Sequence, residues 1–232
     1  STILFNSLLL GVSWATNTWL IPVQLFLIFS FSLIHFKDWN NLLYTIKAAT
    51  LYTGAILVIG YLFFMPFHAN FTSPFTGFGA NEFHTRIFDF VEIHYLSLTV
   101  IFIFTFTALL PKIRNKFSKN KFYPQIITLL ITAILIAIFV ETFKVQNDIG
   151  RMNTFFKFYL QIWILISISS SFLILQISKS LKKKFNLFFF YPIIGFLFLS
   201  GMLFPVLGTI NRTQDRFVDT NLTLDGSKFA EK

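Results

Sequence analysis

The chain has no cysteine and little charge, and both deficits restrict what it can be. Without cysteine in 232 residues, disulfides, zinc–thiolate sites and thiol nucleophiles are excluded. Charged residues make up 12% of the chain, about half of the roughly 25% found in soluble domains. Hydrophobic residues make up 55%, which excludes a disordered chain, and the mean hydropathy is +0.68. This composition predicts an integral membrane protein.

Long apolar runs recur along the chain, at lengths close to the roughly 20 residues that cross a bilayer as a helix. Seven segments can be placed: Ile3–Ala15, Ile21–Phe36, Ala48–Phe67, Ile93–Leu110, Tyr123–Val140, Phe155–Ile177 and Leu187–Ile210. The runs do not alternate as barrel strands do, and helices satisfy their own backbone polar groups in lipid. The sequence therefore predicts an all-α, polytopic transmembrane helix bundle with about seven spans.

The predicted organisation is a transmembrane domain over residues 1–210 and an extracytoplasmic tail over residues 211–232. The chain begins inside an apolar segment and ends in polar sequence. We therefore expect it to be a fragment of a longer protein that lacks the N-terminal part.

Acidic residues are few, and nine of the ten fall on one side of the predicted membrane. Eleven of the nineteen basic residues fall on the other side, in the loops 37–47, 112–121 and 179–186. Basic loops stay in the cytoplasm. We therefore predict a plasma-membrane protein whose loops 68–92 and 141–154 and tail 211–232 are extracytoplasmic. The net charge of +9 follows from these loops, so we expect membrane lipids as partners and no nucleic acid.

A polar segment between the fifth and sixth apolar runs carries the strongest functional pattern. Asn153, Lys157 and Gln161 are spaced i, i+4 and i+8, which places them on one face of a helix. Arg151 precedes that helix, and a helix N-terminus with cations nearby favours anions. The pattern predicts a phosphate-binding site, with Asp148 orienting Arg151.

The same segment also permits a purely structural interpretation. Lys157 would extend to the membrane interface, and Arg151 would pair with Asp148 at the surface. Asn153 or Thr154 is expected to cap the helix that follows.

A second group of polar residues is predicted on the outer side. It comprises His84, Arg86, Asp89, Glu92 and His94, with Arg216 contributed by the tail. Asp89 and Glu92 are spaced i, i+3, so they share a helix face and could hold a metal ion or divide acid and base roles. Their spacing matches no metal motif, so we predict no metal site, and a polar belt at the interface is the simpler alternative. Asn17–Pro22 reads as a tight outer turn that ends at a helix start.

Three segments together resemble a known family. The run Asn147–Trp163, with Asp148, Gly150-Arg151-Met152-Asn153 and Lys157, resembles the signature of the YYY-type membrane proteins. Ala15–Trp19 with Pro22 resembles that family's Asn-Thr-Trp-Asp turn, although Leu20 stands where the acid is usual, and Thr223–Gly226 resembles its Leu-Asp-Gly motif. This multi-pass family of archaea and Chloroflexi-like bacteria has no known function and is remotely similar to the GT-C membrane glycosyltransferases.

The resemblance implies a GT-C-like glycosyltransferase that takes a sugar from a polyprenyl-phosphate carrier at the outer membrane face. Arg151 and Lys157 would then bind the carrier's phosphate, while Glu141 and Asp225 are weaker candidates for acceptor or metal contacts. The catalytic acid motif of GT-C enzymes would lie upstream of Ser1. No cofactor is evident, although Mg²⁺ or Mn²⁺ would suit a phosphate substrate. The alternatives are a lipid or solute transporter or flippase, and a membrane anchor for an outer domain.

Overall fold

The computed structural model describes residues 2–72, 77–82, 84–108, 111, 119–146, 150–180 and 184–216. The side chains of residues 103, 104, 106–108, 180, 184–187 and 216 are not among those described. Asp148, Asp225 and the side chain of Arg216 therefore lie outside the described part of the chain. The chain divides into two compact units, Ser1–Ile177 and Ser178–Lys232.

Helices dominate both units, which confirms the predicted all-α membrane bundle. The first unit contains α1 (Thr2–Thr16), α2 (Ile21–His35), α3 (Leu42–Phe63), α4 (Met65–Asn70), α5 (Ile87–Ala108), α6 (Tyr123–Thr142) and most of α7 (Met152–Ser180). Two short strands, β1 (Phe78–Ala80) and β2 (Phe143–Val145), and a 3₁₀ turn at Thr18–Leu20 complete it. The second unit contains α8 (Lys184–Arg216).

The predicted count of seven spans is wrong by this measure. Within the described residues, five helical segments are long and apolar enough to cross a membrane: Thr18–His35, Leu42–Phe63, Tyr123–Thr142, Met152–Lys179 and Phe188–Asp215. Helix α1 has 15 residues, about 22 Å of rise against roughly 30 Å of hydrocarbon. Helix α5 is not among the five, and it carries Asp89 and Glu92 near its start.

Several helices extend beyond the apolar runs that predicted them, because hydropathy marks the lipid boundary and not the end of a helix. Helix α3 begins at Leu42, where the Asn41 side chain accepts a hydrogen bond from the Tyr44 N–H at 3.0 Å. Helix α5 begins at Ile87 with Asp89 in its first turn, where a carboxylate is favoured. Helix α8 continues to Arg216, so the first six residues of the predicted tail are helical.

Helices α1 and α3 pack closely because small residues face each other. A Cβ atom added to Gly60 would lie 2.8 Å from the backbone oxygen of Ser7, and one added to Gly11 would lie 2.7 Å from the backbone oxygen of Gly60. In lipid, helices associate through such close van der Waals contact, not through the hydrophobic effect. These glycines therefore set the separation of the two helices.

A second packed region joins α2, α6 and α7. Its buried residues are Val23 from α2, Ala133, Ile136 and Val140 from α6, and Phe158, Tyr159, Ile162, Leu165 and Ile166 from α7. Buried hydroxyls in these helices donate to the carbonyl four residues earlier, as Ser32, Thr132 and Ser169 do at 2.7–2.8 Å. These three hydroxyls are thus satisfied within their own helices.

The two strands form an antiparallel ribbon that the sequence analysis did not predict. Phe78 pairs with Val145 and Ala80 pairs with Phe143. The ribbon connects the segment before α5 to the segment between α6 and α7. It therefore brings together residues that are more than 50 positions apart in the chain.

Helix α8 spans 33 residues and contains Pro192 and Pro205. Proline within a transmembrane helix leaves backbone carbonyls without their usual partner. The hydroxyl of Ser200 donates to the carbonyl of Leu197 at 2.9 Å between the two prolines.

Candidate functional site

The turn between α1 and α2 forms the first wall of the candidate site. Asn17 adopts an extended backbone and ends α1, and Pro22 lies in the first turn of α2, where a missing N–H is tolerated. The hydroxyls of Thr16 and Thr18 donate to carbonyls of α1, at 2.8 Å and 3.3 Å. The amide oxygen Oδ1 of Asn17 is buried and accepts no hydrogen bond from the described residues.

This turn opens onto a cavity of about 580 Å³, within the size range of small-molecule sites. The wall combines aromatic rings, hydroxyls, one amide and one cation, from Ala15, Thr16, Asn17, Thr18, Trp19, Pro22, Phe71, Gly77, Phe78, Val145, Lys157 and Phe158. The ribbon contributes Phe78 and Val145 to this wall. No carboxylate is among the described residues that line this space.

Lys157, the cationic residue that lines the cavity, lies about one and a half turns after the start of α7. It makes no salt bridge with a described carboxylate. Four residues later, Gln161 is buried and its side-chain amide donates to the backbone carbonyls of Trp19 (3.4 Å) and Lys157 (3.3 Å). The Trp19 ring also meets Phe158 edge-on, with centroids 5.8 Å apart. Gln161 and Phe158 therefore hold the turn against the helix that carries Lys157.

Beside the cavity lies a second polar group, which we call the Glu141 clamp (Thr85, Glu141 and Arg151). The carboxylate of Glu141 accepts from the backbone N–H of Thr85 at 2.8 Å and from its hydroxyl at 2.7 Å. Arg151 donates Nη1 to Glu141 at 3.0 Å and Nη2 to the Thr85 hydroxyl at 2.6 Å. The guanidinium and carboxylate side chains are only 18% and 23% exposed, so this pair is largely shielded from solvent.

Backbone geometry explains how the clamp assembles. Asn81 follows β1, and its side-chain amide donates to the carbonyls of Val140 and Glu141 at 3.3 and 3.4 Å, which satisfies the C-terminus of α6. His84 Nδ1 lies 2.9 Å from the same Glu141 carbonyl. Gly150 has a φ of +62°, a conformation that suits glycine, and the turn it makes leads Arg151 back to the end of α6.

The predicted capping of α7 is wrong. The helix begins at Met152, so Asn153 and Thr154 lie inside its first turn. Thr154 is fully buried and its hydroxyl accepts the backbone N–H of Val145 at 3.1 Å. The hydroxyl thus attaches β2 to the start of the helix. It does not cap the helix.

Arg151 and Lys157 do not line one cavity. Arg151 belongs to the Glu141 clamp, whereas Lys157 lines the cavity of the α1–α2 turn. Asn153, Lys157 and Gln161 do share one face, since α7 runs unbroken through all three.

The second predicted group separates into different environments. Arg86 and Asp89 form an exposed ion pair at 2.9 Å, which raises the pKa of Arg86 and lowers that of Asp89, chiefly through their hydrogen bond. Glu92 is exposed on α5, and His84 contacts the end of α6. His94 is buried and stacks against Tyr159, with ring centroids 5.3 Å apart.

His94 and Tyr159 place unsatisfied polar atoms between α5 and α7. Both ring nitrogens of His94 and the hydroxyl of Tyr159 are buried without a hydrogen-bond partner among the described residues. Tyr159 stacks in turn on Phe155, and the guanidinium of Arg151 lies 5.4 Å from the Phe155 ring. The rings of His94, Tyr159 and Phe155 thus form a continuous stack that reaches the guanidinium of Arg151.

Sequence reasoning missed Thr85 and Asn81, because nothing in their neighbourhood marks them as contacts of a helix 56 or more residues later. The sequence analysis assigned Asn17 and Trp19 a structural role. The run Asn17-Thr18-Trp19, directly before a helix start, was the signal that could have indicated a place in a binding site. Among the described residues, no three His, Asp or Glu side chains lie close enough to hold a metal ion.

Comparison with known proteins identifies the family. The family model described as Uncharacterized membrane protein (DUF2298) matches residues 1–130 and 114–166, which is most of the chain. No curated protein and no solved structure matches. The chain belongs to this family of uncharacterized membrane proteins. The predicted multi-pass membrane family of unknown function is thereby confirmed, while the YYY-type name and the GT-C likeness stay predictions.

Proposed function

We propose that this chain binds the donor of a membrane glycosyltransferase, a sugar carried on polyprenyl phosphate. The observation that carries the proposal is the cavity at the α1–α2 turn, whose described lining combines one cationic residue, Lys157, with aromatic and apolar residues. A lipid phosphate combines an anionic head with an apolar tail. A wall with one cation and many apolar groups complements both parts.

In the proposed reaction, an acceptor hydroxyl attacks the anomeric carbon of the sugar. The bond between that carbon and the phosphate oxygen breaks, and the acceptor oxygen forms the new glycosidic bond as its proton passes to solvent. Polyprenyl phosphate leaves with one more negative charge than the donor carried on its phosphate. A fixed ammonium beside the departing oxygen stabilises this developing charge. Lys157 is the residue we assign to that role.

The Glu141 clamp positions the site and does not perform the chemistry. The carboxylate of Glu141 already accepts three hydrogen bonds, from two groups of Thr85 and from Arg151. A base must instead present a lone pair to the acceptor hydroxyl. We therefore assign donor binding to the described residues and assign no proton transfer to them.

We place this end of the helices on the outer face of the plasma membrane, following the excess of basic residues in the loops of the opposite end. A lipid-linked sugar would then reach the cavity from the outer leaflet. In this proposal, a Mg²⁺ or Mn²⁺ ion would be required only because it binds the phosphate of the substrate.

The test compares Lys157→Gln with Lys144→Gln in the full-length protein reconstituted in liposomes. Lys144 is the matched control, because it is a nearby lysine on β2 that pairs with Glu82 at 3.5 Å and does not line the cavity. With radiolabelled polyprenyl phosphoglucose as donor probe, we expect sugar transfer to fall at least tenfold in Lys157→Gln and to stay near wild type in Lys144→Gln. Equal transfer by both variants would refute the role of Lys157.

The same liposomes distinguish the main alternative. Uptake of labelled sugar or movement of labelled lipid across the bilayer, without a new glycosidic product, would identify a transporter or flippase and overturn the glycosyltransferase proposal.

A further inference from the structure

The end of the first unit that lies away from the cavity carries cations without protein counter-ions among the described residues. The first half of α2 packs with the second half of α6 at Val23, Ile136 and Val140, so the end of α2 and the start of α6 lie together at this end. All three salt bridges between described residues lie at the other end, among residues 82–151.

Two lysines at this end lie over aromatic rings instead of carboxylates. The ammonium of Lys37 lies 3.8 Å from the centroid of the Trp39 ring, and that of Lys121 lies 4.9 Å from the centroid of the Phe122 ring. Both distances are within the roughly 6 Å of a cation–π contact. Asp38, the acidic residue of this loop, uses its carboxylate on a backbone N–H of the loop at 2.9 Å. We call Lys37, Trp39, Lys121 and Phe122 the lysine–aromatic belt.

The rings of the belt lie at the boundary of two apolar spans. Trp39 stands three positions before Leu42, and Phe122 stands directly before Tyr123, and each of these spans begins there. The two rings are 81% and 52% exposed, so they are open to the surroundings. Aromatic rings at such a boundary lie at the level of the lipid headgroups. The ammonium groups over them therefore lie at the level of the lipid phosphates.

We propose that the lysine–aromatic belt binds the headgroup of an anionic phospholipid, in the leaflet that we place on the cytoplasmic side. The two ammonium groups supply the counter-charge for the lipid phosphate, and the rings pack against the glycerol and the first methylene groups of the acyl chains. Basic residues next to a span attract anionic lipids in this way. The proposal concerns the end of the helices opposite the cavity and does not depend on the glycosyltransferase activity.

The test measures lipid binding to the purified full-length protein by native mass spectrometry. The probes are dioctanoyl phosphatidylglycerol, which is anionic, and dioctanoyl phosphatidylcholine, which has the same chains and no net charge. Each lysine at a membrane surface favours an anionic lipid by about fivefold, so two lysines should give the wild type a preference of roughly ten- to thirtyfold. Equal affinities of the wild type for both lipids would overturn the proposal without reference to any variant.

Two double variants with the same change in net charge locate the site. Lys37→Gln combined with Lys121→Gln should weaken phosphatidylglycerol at least tenfold and leave phosphatidylcholine unchanged. Arg86→Gln combined with Lys144→Gln is the matched control, because both of these cations pair with carboxylates at the other end. It should keep the preference of the wild type. Equal losses in the two double variants would show an effect of net charge alone and would contradict the belt.

The ring of Trp39 is tested separately. Trp39→Ala removes the ring that holds the Lys37 ammonium, a contact that contributes about a factor of two to five at an exposed site. Binding of phosphatidylglycerol should weaken by that factor. Unchanged binding in Trp39→Ala would contradict the assignment of the ring to the lipid site.

Discussion

Removing the guanidinium of Arg151 should destabilise the first unit measurably, because it leaves the Glu141 carboxylate shielded and partly unpaired. An Arg151→Ala variant loses the 3.0 Å ion pair and the 2.6 Å bond to Thr85. Breaking a fully buried pair costs about 3–5 kcal/mol, and an exposed one about 0–1 kcal/mol. Since about a fifth of each side chain is exposed, we expect an intermediate cost of about 2 kcal/mol.

Thermal unfolding of the detergent-solubilised chain measures this cost. For a protein of this size, each kcal/mol shifts the Tm by about 2–4 °C, so Arg151→Ala should lower it by about 4–8 °C. Arg86→Ala is the matched control, because it removes an Arg–Asp pair of similar length that is exposed to solvent, and it should leave the Tm unchanged.

A double-mutant cycle tests whether the two residues act as a pair. Glu141→Gln combined with Arg151→Ala should cost less than the sum of the single variants, by about 1 kcal/mol or more. Additive effects, or equal shifts of Tm in Arg151→Ala and Arg86→Ala, would refute the clamp as a stabilising unit.

Two further predictions concern glycines. Gly60→Ala should destabilise the chain by about 1–3 kcal/mol, because its Cβ would lie 2.8 Å from a backbone oxygen of α1. Gly54→Ala on the same helix is the control: its Cβ meets nothing within 4 Å, so the variant should be neutral or stabilising. Equal Tm values for the two variants would contradict the close packing of α1 and α3. Gly150→Ala should cost about 1–2 kcal/mol through its positive φ alone, and Gly150→Asn should cost less; a Tm as high in the alanine variant as in the wild type would exclude strain there.

The fold class could be predicted because lipid imposes a strong composition on spanning helices. The helix ends could not, because capping and charge at the termini decide them, as at Asn41 and Asp89. The count of spans was too high in part because α1, with 15 residues, is shorter than a bilayer crossing.

Only part of the candidate site could be read from the sequence. The shared face of Asn153, Lys157 and Gln161 follows from helical spacing alone. The predicted contact of Arg151 with Asp148 lies outside the described residues. The contacts of Arg151 with Glu141 and Thr85 could not be predicted, because Thr85 lies 66 positions earlier in the chain and Glu141 lies at the end of α6. Strands of three residues carry too little periodicity to predict such a contact.

The position of a bound lipid tests the central claim most directly. A polyprenyl phosphate analogue with a photoreactive group beside the phosphate would be cross-linked to the full-length chain, and the labelled peptides would be identified by mass spectrometry. We predict labelling of the residues that line the cavity, within 15–22, at 71, 77 and 78, and within 145–158, and its loss with excess unlabelled polyprenyl phosphate. Labelling confined to other helix surfaces, or unaffected by that competitor, would contradict the account.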